Sequence, residues 1–140
     1  MLEMKVFRES PEKILEDLKK RNLSKNLASD VINLDNQWRT LIEKGNRLRA
    51  KRNVISKSIS ELKKKGQDFS EVLKGMAKLK ENLNLNEKET EETLRLRDSK
   101  RMIVPNLLDN EVPIGNDEDG NLEVSLYGTR NKREKWLSHQ

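Results

Sequence analysis

The chain has 140 residues, of which 33% are hydrophobic and 38% charged, and it carries a net charge of +5 at pH 7. A compact globule of this length needs more apolar material, whereas a rod of paired helices buries little per residue, and the basic balance favours a polyanionic partner. The absence of cysteine excludes a disulfide frame, a thiolate metal site and a cysteine nucleophile, and the single histidine is His139.

Residues 1–9 alternate weakly, which predicts a short strand or an extended lead-in. Ser10-Pro11 then reads as a helix start, with Ser10 as the cap and proline in the first turn. Ile14, Leu15 and Leu18 give this helix, about residues 11–21, an apolar face that packs on the base of the rod. It ends near Asn22, a residue that tolerates the left-handed conformation at a helix C-terminus.

The longest periodic stretch follows. Val31, Leu34, Trp38, Leu41, Gly45, Leu48, Arg52, Ile55, Ile59 and Leu62 recur in alternating steps of three and four. That is the heptad repeat of a helix that packs one narrow stripe against another helix. The helix is predicted over about residues 24–65, roughly 60 Å at ~1.5 Å per residue, until Gly66 breaks it. A second heptad runs through Phe69, Val72, Met76, Leu79, Leu83, Asn86 and Thr90. It continues after a four-residue stutter at Leu94, in a helix over about residues 68–103 that ends before Pro105.

A short turn between two such helices dictates an antiparallel hairpin. The expected facing pairs are Leu62 with Val72, Ile59 with Met76, Ile55 with Leu79, Arg52 with Leu83, Leu48 with Asn86, Gly45 with Thr90, and Leu41 with Leu94. Trp38 falls near Leu94 and Arg97. The tip half is expected to be well packed and the middle poorly packed. Gly45, Arg52, Asn86 and Thr90 in the seam either fix the register at some cost in stability or let the arm bend; the first account is favoured.

Residues 105–140 are punctuated by Pro105, Pro113, Gly115, Gly120 and Gly128. Residues 116–121 read as a turn, and Leu122, Val124 and Leu126 alternate as a short strand. Trp136 suggests a partner surface or a chain that continues. The expected architecture is therefore all-α-dominated. A long antiparallel two-helix coiled-coil hairpin stands on a small helical base over residues 1–110, and an irregular or β segment follows over residues 111–140. No apolar run reaches about 18 residues, and the N-terminus lacks a secretory layout, so no membrane span and a cytoplasmic location are expected.

The charge is segregated. Residues 39–80 hold thirteen Lys/Arg against four acids, a net +9, whereas residues 81–99 hold six acids against three bases, a net −3. Like charges along a rod repel, so a polyanion that neutralises them is the functional reading. A merely solvated basic tip is the bland one. With few aromatic residues such a rod would grip phosphate and ribose rather than stack on bases. No glycine-rich phosphate loop, metal-ligand spacing or nucleophilic triad occurs.

Two strings carry a family likeness. One is Leu34-Asp35-Asn36-Gln37-Trp38-Arg39 followed by the run from Leu48 to Lys57. The other is Val104-Pro105-Asn106 followed by Val112-Pro113-Ile114-Gly115-Asn116-Asp117-Glu118 and Asn121-Leu122-Glu123-Val124. Together they resemble the N-terminal part of seryl-tRNA synthetases, over nearly the whole chain to about Gly128. One departure is Asp109, where such proteins often carry histidine. The resemblance implies a coiled-coil arm that reaches the long variable arm and elbow of serine tRNA. It also implies a catalytic domain beyond this chain that uses ATP and Mg, and a homodimeric full-length enzyme. By the same likeness, this chain alone would bind tRNA without aminoacylating it and needs no cofactor of its own.

Arg49, Arg52, Asn53, Ser56 and Lys57 match the arm motif. The candidate tRNA contacts are Arg47, Arg49, Lys51, Arg52, Asn53, Lys57, Lys63, Lys64 and Lys65 on the outgoing helix, and Lys74 and Lys78 on the returning one. Arg52 lies on the seam by heptad count, where a structural role competes. The alternatives are a structural or protein-interaction hairpin, against which the lack of a second apolar stripe argues, and an enzyme in its own right, for which no catalytic constellation is present.

Overall fold

A computed structural model describes residues 2–115 and 118–128 of the chain. Four helices follow one another: α1 (Met4–Glu9), α2 (Pro11–Lys20), α3 (Asn26–Lys64) and α4 (Ser70–Ile103). A single 3-10 turn, Glu118–Gly120, lies beyond them. α3 and α4 pack along their lengths as an antiparallel hairpin, and α1 and α2 meet the arm through α3.

Within the expected lead-in, Met4–Glu9 form helix α1 instead. Its weak alternation loses to packing: Leu2 and Phe7 are buried in the base core with Ile14, Leu18, Ala28, Val31 and Val104, and Met4 and Val6 pack against them. Ser10 sits between the two short helices. Its backbone N–H donates to the Val6 carbonyl as the end of α1, and its hydroxyl makes no capping bond to α2. The side-chain cap expected there is therefore absent, and Pro11 alone marks the start. Of the predicted apolar face of α2, Ile14 and Leu18 are buried whereas Leu15 lies on the rim.

α2 and α3 end in the same way. Asn22 has φ of +53° and Gly66 φ of +66°. At each, the following amide reaches back across the last turn, Leu23 N–H to the Leu18 carbonyl and Gln67 N–H to the Leu62 carbonyl. These are paired left-handed C-terminal closures, for which asparagine and glycine are the residues of lowest strain. At the arm tip Asp68 Oδ1 then accepts from both the backbone N–H and the hydroxyl of Ser70, at 2.9 Å and 2.5 Å, and so organises the first turn of α4. Those hydrogen bonds hold the Asp68 carboxyl below its ordinary pKa.

In the arm, Leu79 and Leu83 are buried, and Ile55, Ile59, Leu62, Val72 and Met76 are half-buried. The tip half, expected to be well packed, is closed only at Leu79 and Leu83, because a two-helix seam leaves its other side chains one open flank. Arg52, counted into the seam, is exposed instead; its long stem lets the guanidinium leave the stripe for water. The register holds at Trp38, whose ring faces Arg97, and shifts locally at Gly45, where Asn86 rather than Thr90 is the close neighbour. Glycine presents no side chain, so the Asn86 amide crosses into its place.

The segment after α4 folds back on the base. Leu108 N–H donates to the buried Asp17 carboxylate, and Arg21 donates to the Asn106 carbonyl at 2.7 Å. Asp109 makes its own turn: its carboxylate accepts from Glu111 N–H at 3.0 Å. Residues 121–127 form no strand, and among the described residues there is none. Leu122, Val124 and Leu126 remain exposed, Val124 at 91%, because a strand needs a neighbouring strand for its backbone hydrogen bonds. The expected turn residues Asn116 and Asp117, and Trp136 and His139, lie outside the described residues.

Candidate nucleic-acid interface

Helical geometry sorts the candidate cations into stripes. Steps of four place Arg49, Asn53 and Lys57 on one face of α3, and Lys64 falls on the same line seven residues later. Arg47 and Lys51 lie on the opposite side, where with Lys44 they flank a shallow groove that also includes Thr40, Glu43 and Leu48. Lys63, Lys64 and Lys65 surround the tip, and Lys74 and Lys78 return on α4. All eleven candidates, Arg47, Arg49, Lys51, Arg52, Asn53, Lys57, Lys63, Lys64, Lys65, Lys74 and Lys78, are exposed.

Their pairing divides the arm at about Glu87. Arg49 approaches Glu87 at 3.3 Å across the hairpin, and Lys44 approaches Glu89 at 3.8 Å. Farther out, the only ion pair among the described residues is the local Lys74–Glu71 contact at 3.8 Å. Arg47 meets Glu43 at 3.8 Å with both side chains largely in water. Such exposed pairs contribute only about 0–1 kcal/mol, so they leave these cations available. Lys51, Lys57, Lys63, Lys64, Lys65 and Lys78 make no ion pair with the described residues. Among the described residues Arg52 reaches only the neighbouring Asn53 side chain, at 3.4 Å. Two acids of α4, Glu87 and Glu89, thus meet cations of α3 nearer the base, and the outer arm keeps an open cationic surface among the described residues. A self-neutralised coiled coil would instead pair its cations along the whole arm.

The middle of the arm is different. A cavity of about 270 Å³ lies between the helices, lined by residues that include Trp38, Gly45, Arg49, Asn86, Thr90 and Leu94. Asn86 is buried and donates to the Leu41 carbonyl at 3.1 Å, and the Thr90 hydroxyl donates to the Asn86 carbonyl at 2.6 Å. Asn86 Oδ1 and Trp38 Nε1 are buried without a hydrogen-bond partner. Asn86 alone thus bonds across the hairpin, to the backbone of α3, whereas the Thr90 hydroxyl bonds back within α4.

Sequence reasoning missed the charged cluster at the arm root. Asp35 is 2% exposed and accepts from Arg8 Nε and Nη2 at 2.7 Å and 2.8 Å, and from Arg97 Nη1 at 2.9 Å. The Arg8 hydrogen bonds, with the one from Arg97, hold the Asp35 carboxyl below its ordinary pKa despite burial, and Asp35 in turn raises that of Arg8. Arg97 also lies over the Trp38 ring, 5.0 Å from its centroid. The sequence signals were Asp35, inside the quoted string before Trp38, and the heptad register that set Arg97 near Trp38; nothing marked Arg8.

Among the described residues no three His, Cys, Asp or Glu side chains gather as a metal site, and no helix is long and apolar enough to cross a membrane.

A family model described as the seryl-tRNA synthetase N-terminal domain matches residues 1–108. A serine–tRNA ligase of Methanospirillum hungatei is 40% identical over 131 residues, which cover 92% of this chain and 31% of that protein. The serine–tRNA ligase of Pyrococcus horikoshii is 33% identical over 99% of this chain and 30% of its own length. The crystal structure of the P. horikoshii synthetase complexed with ATP superposes with a TM-score of 0.85 at 34% identity, over 91% of this chain and 29% of that one. The cytoplasmic serine–tRNA ligase of Naegleria fowleri in complex with AMP gives 0.75 at 27% identity, over 92% and 28%. The chain spans about 30% of the length of the curated relatives it matches.

Proposed function

The chain belongs to the seryl-tRNA synthetase N-terminal domain family, and from that premise we propose that its hairpin is a tRNA-binding arm for serine tRNA. The observation that carries the proposal is the unpaired cationic surface of the outer arm, set against acids that are matched by cations nearer the base. Lys57, Lys63, Lys64 and Lys65 contact phosphate as point charges, and Arg49 offers a planar fork to phosphate or ribose. Arg47, Lys51, Arg52, Asn53, Lys74 and Lys78 widen the same surface. Recognition runs through backbone and shape, so the long variable arm and elbow of serine tRNA supply the specificity.

In the full-length enzyme a catalytic domain would attach serine to the tRNA with ATP and Mg, as part of a cytoplasmic homodimer. This chain contributes the grip and not the chemistry.

Titration of serine tRNA, beside a tRNA without the long variable arm, tests the proposal. Serine tRNA binds more tightly, and its affinity falls steeply with salt. Lys57→Glu with Lys64→Glu lowers affinity and flattens the logarithmic salt slope by about 1.4–1.8, if each lysine neutralises one phosphate at ~0.7–0.9 per contact. A double variant that binds serine tRNA as the parent does overturns the proposal. So does equal affinity for the two tRNAs.

A further inference from the structure

The arm can present its cations only if it leaves the base in a defined direction. α1 carries base residues and α4 carries the returning half of the arm, and the two helices do not pack directly on each other. Asp35 on α3 joins them: Arg8 of α1 grips it with two hydrogen bonds and Arg97 of α4 with a third. Arg97 is itself 7% exposed, stands against the Trp38 ring and donates from Nε and Nη2 to Asp98 Oδ1 at 3.1 Å and 2.9 Å.

We propose that Arg8, Asp35 and Arg97 are positioning residues that lock the direction of the arm on its base, and that RNA affinity depends on this lock although none of the three touches RNA. The second half rests on the tRNA-binding reading; the first half does not.

Directionality separates the two kinds of contact at the root. The apolar cluster around Phe7, Ile14 and Val31 holds the base against the arm root, but hydrophobic burial is non-directional and tolerates rotation. A two-pronged arginine–carboxylate contact does not, because both N–H···O bonds must stay aligned. Placed at the root, a small rotation is amplified along the part of α3 beyond Asp35, about 44 Å to Lys64 at ~1.5 Å per residue. Affinity then carries the fraction of time that the arm spends in the docking direction.

The chain lacks cysteine, so Lys13→Cys on the base and Gln67→Cys at the tip accept spin labels at two defined positions. Base-to-tip distances are measured without RNA in the labelled parent, Arg8→Met, Arg8→Lys and Lys5→Met. Arg8→Met cuts the α1 tether while leaving Asp35 paired with Arg97. Arg8→Lys keeps the charge without the fork. Lys5→Met removes a charge from the same helix, at an exposed pair with Glu9.

Arg8→Met is expected to broaden or shift the distance distribution, Arg8→Lys to do so less, and Lys5→Met not at all. Serine tRNA affinity falls about tenfold in Arg8→Met if the docking direction is kept a tenth of the time, with the salt slope unchanged because no phosphate contact is lost. An unchanged distance distribution in Arg8→Met overturns the lock. An equal affinity loss in Lys5→Met shows a plain charge effect and overturns the link to RNA. A parent that does not bind serine tRNA overturns that link together with the tRNA-binding reading, while the distances still decide the lock.

Discussion

The amide of Asn86 on α4 reaches across the seam into the space left by Gly45 on α3, and donates to the Leu41 carbonyl at 3.1 Å. A Cβ built at position 45 would come 3.0 Å from that same nitrogen. The mid-arm register therefore depends on a residue with no side chain facing one with a polar side chain, and the buried Oδ1 of Asn86 is left without a partner.

This relationship predicts opposite outcomes at two glycines in the arm. At Gly75 a Cβ meets nothing within 4 Å, so Gly75→Ala raises stability by about 1 kcal/mol through helix propensity alone. At Gly45, Gly45→Leu forces Asn86 out of its place and costs about 1–3 kcal/mol in overpacking. Urea denaturation of both variants beside the parent checks the pair. A stabilised Gly45→Leu would show that the mid-arm seam has slack which the Gly45–Asn86 contact denies.

Asp35 predicts an acid-sensitive base. Its folded pKa is depressed, chiefly by the Arg8 hydrogen bonds. The stability it contributes is therefore present above the unfolded carboxyl value, about 3.9, and is lost as pH falls through the lower folded value. Asp35→Asn removes the anionic acceptor that Arg8 and Arg97 share, while Arg97 keeps Asp98, and lowers stability by about 1–3 kcal/mol at neutral pH. Below about pH 4 the parent converges towards the variant. Thermal melts of both from pH 7 to pH 2 read this directly; a gap between them that stays constant over that range contradicts the assignment.

Glu87 predicts a gain in RNA affinity. It holds Arg49 at 3.3 Å on the edge of the cationic surface, and both side chains are about half exposed, so the pair is worth only about 0.2–1 kcal/mol. Glu87→Gln frees the guanidinium and removes a negative charge from the arm. Serine tRNA affinity should rise, up to roughly fivefold, with helix content unchanged. Nitrocellulose filter binding at fixed salt is sufficient to detect it. Lower affinity in the variant would mean that Arg49 needs Glu87 to aim it.

The hairpin was legible because its signals are local and repeat. The heptads through Val31 and Leu62 and through Phe69 and Leu83 specify two long helices, and Gly66 specifies the turn between them, since only a few residues adopt positive φ at low cost. The cationic stripe was legible for a related reason: on a helix, sequence spacing alone places side chains on a face. Helix α1 was not legible, because six residues, Met4–Glu9, carry too little periodicity, and their helical state comes from burying Phe7 in a core assembled from distant segments.

Charge composition and helical period, both properties of the chain itself, determined a basic antiparallel arm on a small base. Only the tertiary structure decided which charges are spent internally. Asp35 joins partners 27 and 62 residues away, whereas Arg52 leaves the seam its heptad position assigned it. An ion pair or a buried carboxylate is made by groups that folding brings together from far apart, and no short-range pattern encodes that distance.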